Sequence, residues 1–329
     1  MKKILKFGGS SIANAERIQQ VLSIIENTLN SSHEIFVVIS AFQGVTDALI
    51  KIGTTVRDGK YNETSLSEIL SKHEEIIMQL GLDTDMHLGT HFKQLSSELE
   101  KHIPRCPGAS VDFKMWMDEL LCYGELFSVR ILTGLLRSKH IDAELLDARK
   151  VVVTDSNYGN AYVHYQRSYD RIRSYVSNRS RLQIITGFLG ANEYGKATTL
   201  GRSGSDYSAS IFGAALNVDE IEIWTDVDGI LTANPKFVNE PRSISELTYE
   251  EAMELAHAGA KVIFPPTMIP ALYKHIPIIV KNTFHPELPG TRIAQERVLA
   301  GEITVGISSV SNVSLIRMQG AGMGGVKGI

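Results

Sequence analysis

Two short stretches, Lys3–Phe7 and Glu34–Ile39, set the strongest limit on how this chain can fold. Each runs into a loop of small or polar residues and then into a segment with helical spacing. The second, EIFVVI, is a continuous β-branched run with no polar face, so as a strand it must be covered on both sides. Between the two, Ile18, Val21, Leu22 and Ile25 recur at i, i+3, i+4 and i+7, which marks one buried helix face. A strand–loop–helix–strand–loop–helix order predicts a parallel sheet joined by crossover helices. Right-handed crossovers bring both loops to the same sheet edge.

The same alternation continues along the chain. Residues from about Asn62 to Arg137 read as a helical insertion, interrupted near Pro104 and Pro107. A strand follows at Ile141–Leu146, a helix around Val163–Val176 and a strand at Leu182–Thr186. Residues 187–204 are rich in glycine and predict a hairpin or a lid-like loop. Tyr207–Leu216 is helical, Glu220–Trp224 and Ile276–Val280 are strands, and Tyr249–Ala258 is a helix. Thr248 and Glu251 form a capping box at the start of that last helix. The fold class is α/β, a three-layer α/β/α sandwich with a mainly parallel central sheet.

Composition removes several function classes. With 33 Lys+Arg against 37 Asp+Glu the net charge is −4, so no global basic field points to nucleic acid. The longest uncharged apolar-rich stretch, Ile35–Thr46, is well short of the ~18–20 residues that span a bilayer. The N-terminal lysines are not followed by a signal-peptide core. Two cysteines, Cys106 and Cys122, predict a reducing compartment and no disulfide framework, hence a cytoplasmic enzyme.

Two motif matches fail on their physical context. Gly190 to Ala197 nearly fits a P-loop, but alanine stands where a hydroxyl must meet Mg²⁺ and no helical pattern follows; a polar turn between two strands explains it. Gly320, Gly322 and Gly325 fit G-x-G-x-x-G, yet only four residues follow Gly325, too few for the helix and the acidic residue that a dinucleotide needs. His87 and His91 share a helix face with no third metal ligand in view, and read as a solvated pair.

Three segments can carry chemistry. In Lys6-Phe7-Gly8-Gly9-Ser10-Ser11 a lysine ends a strand, and the glycines let a phosphate approach backbone N–H groups; a plain strand-ending turn is the alternative. In Gly201-Arg202-Ser203-Gly204-Ser205-Asp206, Ser205 is the expected N-cap and Asp206 suits the first helical turn, while Arg202 can hold a carboxylate bidentately. In Trp224 to Ile230 polar groups follow a buried strand, where open α/β folds bind ligands, although Asp226 and Asp228 could simply turn the chain. Lys236 and Lys261 could each neutralise phosphate.

These segments, with SAFQGVTD at Ser40, GELFS at Gly124, EEAMELAHAGAKVIFP at Glu250 and VKNTFHPELPGT at Val280, resemble the amino acid kinase family and, within it, the aspartokinases. EIWTDVDG and VKNT…PGT look most like the kinase half of bifunctional aspartokinase–homoserine dehydrogenases. The resemblance implies transfer of the ATP γ-phosphate to the side chain of L-aspartate, giving 4-phospho-L-aspartate, with Mg²⁺ as cofactor. It implies Lys6 and Asp206 as catalytic residues, Asp206 orienting charge rather than acting as a base. Ser40, Thr46, Glu125, Arg202 and Ser205 would hold aspartate, with Glu125 on the ammonium group and Arg202 on a carboxylate. Gly8, Gly9, Ser10, Thr225, Asp226, Leu231, Lys236 and Lys261 would surround ATP; no protein metal ligand is implied. It further suggests a homodimer with no nucleic-acid or membrane partner.

Some positions depart from the family pattern. Leu231 stands for a usual tyrosine, Lys236 for arginine, Phe264 for histidine, Asp47 for asparagine and Ser203 for glycine. Two other functions remain in view: a kinase of the same fold acting on glutamate, acetylglutamate or a nucleotide, and a non-catalytic amino-acid-binding regulatory subunit. The expected organisation is a catalytic domain over 1–300, with an amino-acid lobe at 1–187 and a nucleotide lobe at 188–300. Residues 301–329 would open an ACT-type regulatory domain that the chain does not complete, so little feedback inhibition through this chain is expected.

Overall fold

The computed structural model describes residues 1–31, 34–177, 179, 182–257, 263–297 and 306–307. Strand β1 (Lys2–Phe7) leads through a 3₁₀ turn at Gly9–Ile12 to helix α1 (Ala15–Asn30), then β2 (Glu34–Ile39) and α2 (Val45–Arg57). The helical segment comprises α3 (Thr64–Gln79), α4 (Met86–His102) and α5 (Phe113–Ser138). Next come β3 (Ala143–Leu146), β4 (Val153–Thr154), α6 (Tyr165–Val176), β5 (Leu182–Thr186), β6 (Leu189–Asn192), β7 (Ala197–Thr199) and α7 (Gly204–Leu216). The chain continues with β8 (Glu220–Thr225), β9 (Glu246–Thr248), α8 (Tyr249–His257), α9 (Pro265–Tyr273), β10 (Ile278–Asn282) and β11 (Thr291–Ala294).

The large sheet has eight strands in the order β3-β5-β2-β1-β8-β10-β11-β9, parallel except between β10 and β11. Side-chain alternation along each strand sends residues to opposite faces. Leu5, Phe7, Val37, Ile39 and Ile184 join one core with residues of α1 to α5. Ile4, Phe36, Val38, Ile185, Ile223 and Val280 join a second core with α6, α7 and α9. This is the expected three-layer α/β/α sandwich. Helix α5 is more than an insertion: it packs on the first face, and Leu120, Phe127 and Leu136 are each 1% exposed or less.

The register sets the site. Phe7 lies opposite Ile39 on one side and Trp224 on the other, so the carboxyl ends of β1, β2 and β8 are level. The chain leaves β1 for β2 on one flank, while β8 occupies the other, which opens a crevice for a ligand at the end of β1.

Local expectations hold at several points. The capping box forms both bonds, Thr248 N–H to Glu251 Oε2 at 2.7 Å and Glu251 N–H to Thr248 Oγ1 at 3.1 Å. Residues 187–204 contain the antiparallel hairpin of β6 and β7, with a turn rather than a helix around Gly195, so no P-loop is present. Helix α7 corrects the sequence reading: it starts at Gly204, and its N-cap is Ser203 in the left-handed region (φ 54°), with no side-chain cap bond. Ser205 is therefore inside the helix. That backbone conformation also accounts for a glycine being the usual residue where Ser203 stands. Lys261, the glycines from Gly320 onward and, apart from 306–307, the expected regulatory stub lie outside the described residues.

Candidate active site

Lys6, next to last in β1, is 8% exposed. Its Nζ lies 2.6 Å from Asp206 Oδ1 in the first turn of α7. Asp206 Oδ1 has no other partner among the described residues. The contact is thus an ion pair that leaves ammonium protons free for another acceptor. The backbone after Lys6 passes close by: a Cβ on Gly8 would sit 3.3 Å from Lys6 Nζ, and one on Gly9 3.0 Å from the Ala41 carbonyl oxygen. A 3₁₀ turn, not α1, follows these glycines. The α1 N-terminus is closed by Asn14, whose Oδ1 accepts from Arg17 N–H at 2.9 Å. Of the two serines, Ser11 is turned inward to Thr283 Oγ1 (2.7 Å), and the Ser10 carbonyl accepts from Arg17 Nη1 at 2.8 Å.

Beside Lys6 opens a cleft of about 1010 Å³. Lys6, Gly9, Ser40, Thr46, Glu125, Arg202, Ser205 and Asp206 all line it. The segments come from β1, the β2–α2 loop, α5 and the start of α7. Gly124 makes the α5 wall possible, since a Cβ there would lie 2.8 Å from Ala41 Cβ.

Glu125 is 3% exposed. Its Oε1 accepts from Ala41 N–H at 3.1 Å, while buried Oε2 has no partner among the described residues. Desolvation outweighs that hydrogen bond and pushes the carboxyl pKa up to about 8. A cationic ligand would supply what Oε2 lacks. Arg202 is exposed, two residues before α7, with its guanidinium 5.5 Å from the centroid of the Phe264 ring. An aromatic face holds the cation without consuming its hydrogen-bond donors.

The expected residues Thr225, Asp226, Leu231 and Lys236 lie at or beyond the end of β8 and do not line this cleft. Thr225 ends β8, and its Oγ1 donates to Asp226 Oδ1 at 3.3 Å. Leu231 forms an isolated bridge with Ser243. Lys236 is exposed in a turn where its N–H donates to Asn234 Oδ1 at 2.9 Å. Asp228 Oδ1 accepts from Asn282 Nδ2 at 2.6 Å, which ties the segment after β8 to the end of β10.

Sequence reasoning missed Asp118. It is 1% exposed and accepts from Gly159 N–H (3.0 Å), Thr199 N–H (2.8 Å) and Thr199 Oγ1 (2.9 Å), tying α5 to the opposite cleft wall. Burial raises its pKa against the pull of these bonds. The signal was available, because Asp118 is an acid two helical turns before Glu125 in an apolar run. Lys114 and Tyr158 also line the cleft unforeseen. His87 is exposed and His91 half-buried, their Nε2 atoms 3.3 Å apart, and no metal-holding group of three or more His, Cys, Asp or Glu occurs among the described residues. Burial pushes the Cys122 thiol pKa up, away from thiolate chemistry. Among the described residues no helix is long and apolar enough to cross a membrane.

A doubly covered parallel sheet with a lysine and glycines at its crevice defines a class. Residues 1–282 match the amino acid kinase family, and the chain belongs to that family. The aspartokinase of Chlamydia pneumoniae is 35% identical over 291 residues, covering 88% of this chain and 62% of its own. The bifunctional aspartokinase/homoserine dehydrogenase 2 of Arabidopsis thaliana is 34% identical over 343 residues, covering all of this chain and 37% of its own. The crystal structure of E. coli aspartokinase III in complex with aspartate and ADP superposes with a TM-score of 0.82 at 29% identity, over 90% of this chain and 65% of that one. The chain thus spans less than two thirds of the length of each of these relatives.

Proposed function

We propose that this chain is an ATP-dependent aspartate kinase that transfers the γ-phosphate to the side-chain carboxylate of L-aspartate. The observation that carries the reading is the unpartnered, buried Oε2 of Glu125 in one cleft with Arg202 and Lys6. A free amino acid needs an anionic and a cationic grip, which acetylglutamate, lacking the ammonium group, does not. The 4-phosphoaspartate product suits a first step toward lysine, threonine and methionine, in a cytoplasmic homodimer.

The chemistry asks for charge and position rather than a base. The attacking carboxylate has an ordinary pKa of ~3.9 and is ionised at neutral pH. The obstacle is the approach of an anion to a polyanion. Lys6 stabilises the transferring phosphoryl group, with Gly8, Gly9 and Ser10 along its path, and Asp206 holds the ammonium in place. Glu125 takes the substrate ammonium and Arg202 a carboxylate; Ser40, Thr46 and Ser205 add hydrogen bonds. Thr225, Asp226, Leu231, Lys236 and Lys261 surround the nucleotide. The close backbone at Gly8 and Gly9 leaves room for phosphate oxygens where a Cβ would intrude. Mg²⁺ would be carried on the nucleotide and would neutralise phosphate charge, with Asp206, 2.6 Å from Lys6, and exposed Asp226 as the acids that would face it.

Trapping the acyl phosphate with hydroxylamine, with aspartate, glutamate and acetylglutamate run side by side, tests the reading. Aspartate-dependent hydroxamate supports it; product only with another acceptor, or none at all, refutes it.

A further inference from the structure

Four consecutive residues of the loop between β2 and α2, Ser40 to Gln43, are each fastened by a different side chain. The Ser40 carbonyl accepts from Ser128 Oγ at 2.7 Å, and Ala41 N–H donates to Glu125 at 3.1 Å. The Phe42 ring stacks on the His73 imidazole with centroids 5.1 Å apart, and His73 meets Phe127 at 4.8 Å. The Gln43 carbonyl accepts from Lys72 Nζ at 2.6 Å. The first two anchors come from α5, which itself forms a cleft wall. The last two come from α3, and neither Lys72 nor His73 lines the cleft.

Core packing does not account for either α3 residue. His73 is fully buried, and its Nδ1 donates to the Ile69 carbonyl at 2.7 Å. Its Nε2 has no partner among the described residues, an expense that a leucine or phenylalanine of similar size would avoid. Burial drives the imidazole pKa down to about 4, so it is a neutral flat ring and not a proton carrier. Lys72 is half-buried, with its pKa lowered by desolvation, and spends its ammonium on a neutral carbonyl. Lys72 gives its ammonium to Gln43 and His73 its ring face to Phe42, two adjacent positions of one loop. Gln43 and Gly44 line the cleft and also a smaller pocket of about 260 Å³ bordered by α2 and α3. The loop is therefore a thin partition that needs support from the α3 side.

We propose that Lys72 and His73 are positioning residues of the cleft, locking Phe42 and Gln43 and thereby holding Ser40 and Thr46 in substrate-binding shape. Where it concerns aspartate, this rests on the aspartate kinase reading; where it concerns loop order, it does not.

Lys72→Met, which keeps the stem and removes the ammonium, is compared with Lys72→Arg, and His73→Ala with His73→Phe. Loop order is read by hydrogen exchange of the 41–46 amides without substrate, and function by separate KM and kcat values for aspartate and ATP. Lys72→Met should speed loop exchange and raise aspartate KM by about tenfold, the usual loss for a charge-assisted hydrogen bond, with kcat and ATP KM within about twofold. Lys72→Arg should return both toward wild type. His73→Ala should act as Lys72→Met does, and His73→Phe should retain most function because a ring still fills the slot. If His73→Ala does not fold, the Lys72 pair decides alone. Unchanged loop exchange, or faster exchange with unchanged aspartate KM, overturns the proposal, whatever happens to the melting temperature. If wild type phosphorylates another acceptor, the functional reading fails separately, and the same exchange and KM comparison with that acceptor decides the positioning claim.

Discussion

The two sides of the sheet edge are built to different rules. On the α5 side, Glu125 and Asp118 are 3% and 1% exposed, and each loop residue from Ser40 to Gln43 has an anchor from a distant helix. On the β8 side, Asp226, Asp228 and Lys236 are exposed; the bonds at Asp226 and Lys236 stay within their turns, and Asp228 alone reaches across to Asn282. Buried charge fixes geometry and titrates abnormally, whereas turn-held charge adapts and is screened. Under the proposed aspartate kinase reading, selection of a small amino acid would gain from the first arrangement, and a large polyanion would tolerate the second.

The sharpest way to break this contrast is at the end of β1, where both sides meet. Lys6→Ala should reduce turnover by at least about 10²–10³-fold, with little change in melting temperature, in a coupled ADP-release assay. Near-normal turnover would remove Lys6 from the chemistry.

Glu125→Gln probes the enclosed side in two ways. Aspartate KM should rise by about 10- to 100-fold, as expected when a buried charged partner is lost. Stability should move the other way as the medium becomes alkaline. Unfolded, this carboxyl ionises near its ordinary 4.5; folded, it keeps its proton to about 8. The protein therefore loses stability between those values as pH rises, and glutamine removes that loss. The melting-temperature gap between variant and wild type should widen from pH 5 to pH 8; a constant gap would contradict the burial argument.

Asp118→Ala should cost roughly 2–4 kcal/mol in urea unfolding, because it strands buried donors on two segments. If Asp118→Asn proves as costly as alanine, the charge rather than the acceptor positions is what matters there. The smallest effect belongs to the adaptable side. Lys236→Arg or Leu231→Tyr should lower ATP KM by about two- to fivefold and leave aspartate KM alone. A comparable shift in aspartate KM would mean that the two sides are not separable.

Legibility follows the range of the interaction. EIFVVI, the helical face of Ile18 to Ile25 and the Thr248–Glu251 box were readable because each is a pattern within one element. The α7 start was misplaced because hydroxyl preference favours Ser205 as cap, whereas the left-handed backbone at Ser203 is set by close packing around Gly204, where a Cβ would lie 2.5 Å from Phe188 Cδ2. Helix α9 was hidden by Pro265, Pro266 and Pro270: the first two open its first turn and lose no helical bond, whereas Pro270 lies inside the helix and forgoes one. Strands β4, β9 and β11 are too short to show a period. The cleft lysine, arginine and glutamate were found through motifs, but Asp118 bonds to a partner 81 positions away and Lys72 to one 29 positions away, distances over which local pattern carries no information.

The central place of β1 has a consequence for how the molecule comes into being. Its neighbour β8 emerges late in synthesis: Lys3 waits for Glu222, 219 positions further on. At ~5–20 residues per second, that leaves one edge of β1 open for on the order of ten seconds or more. During that interval Lys3 and Lys6 act as gatekeepers, charges within a strand that otherwise invites edge-to-edge association. The lysine later assigned to chemistry thus first serves the nascent chain, and both charges are neutralised when β8 and α7 arrive with Glu220, Glu222 and Asp206.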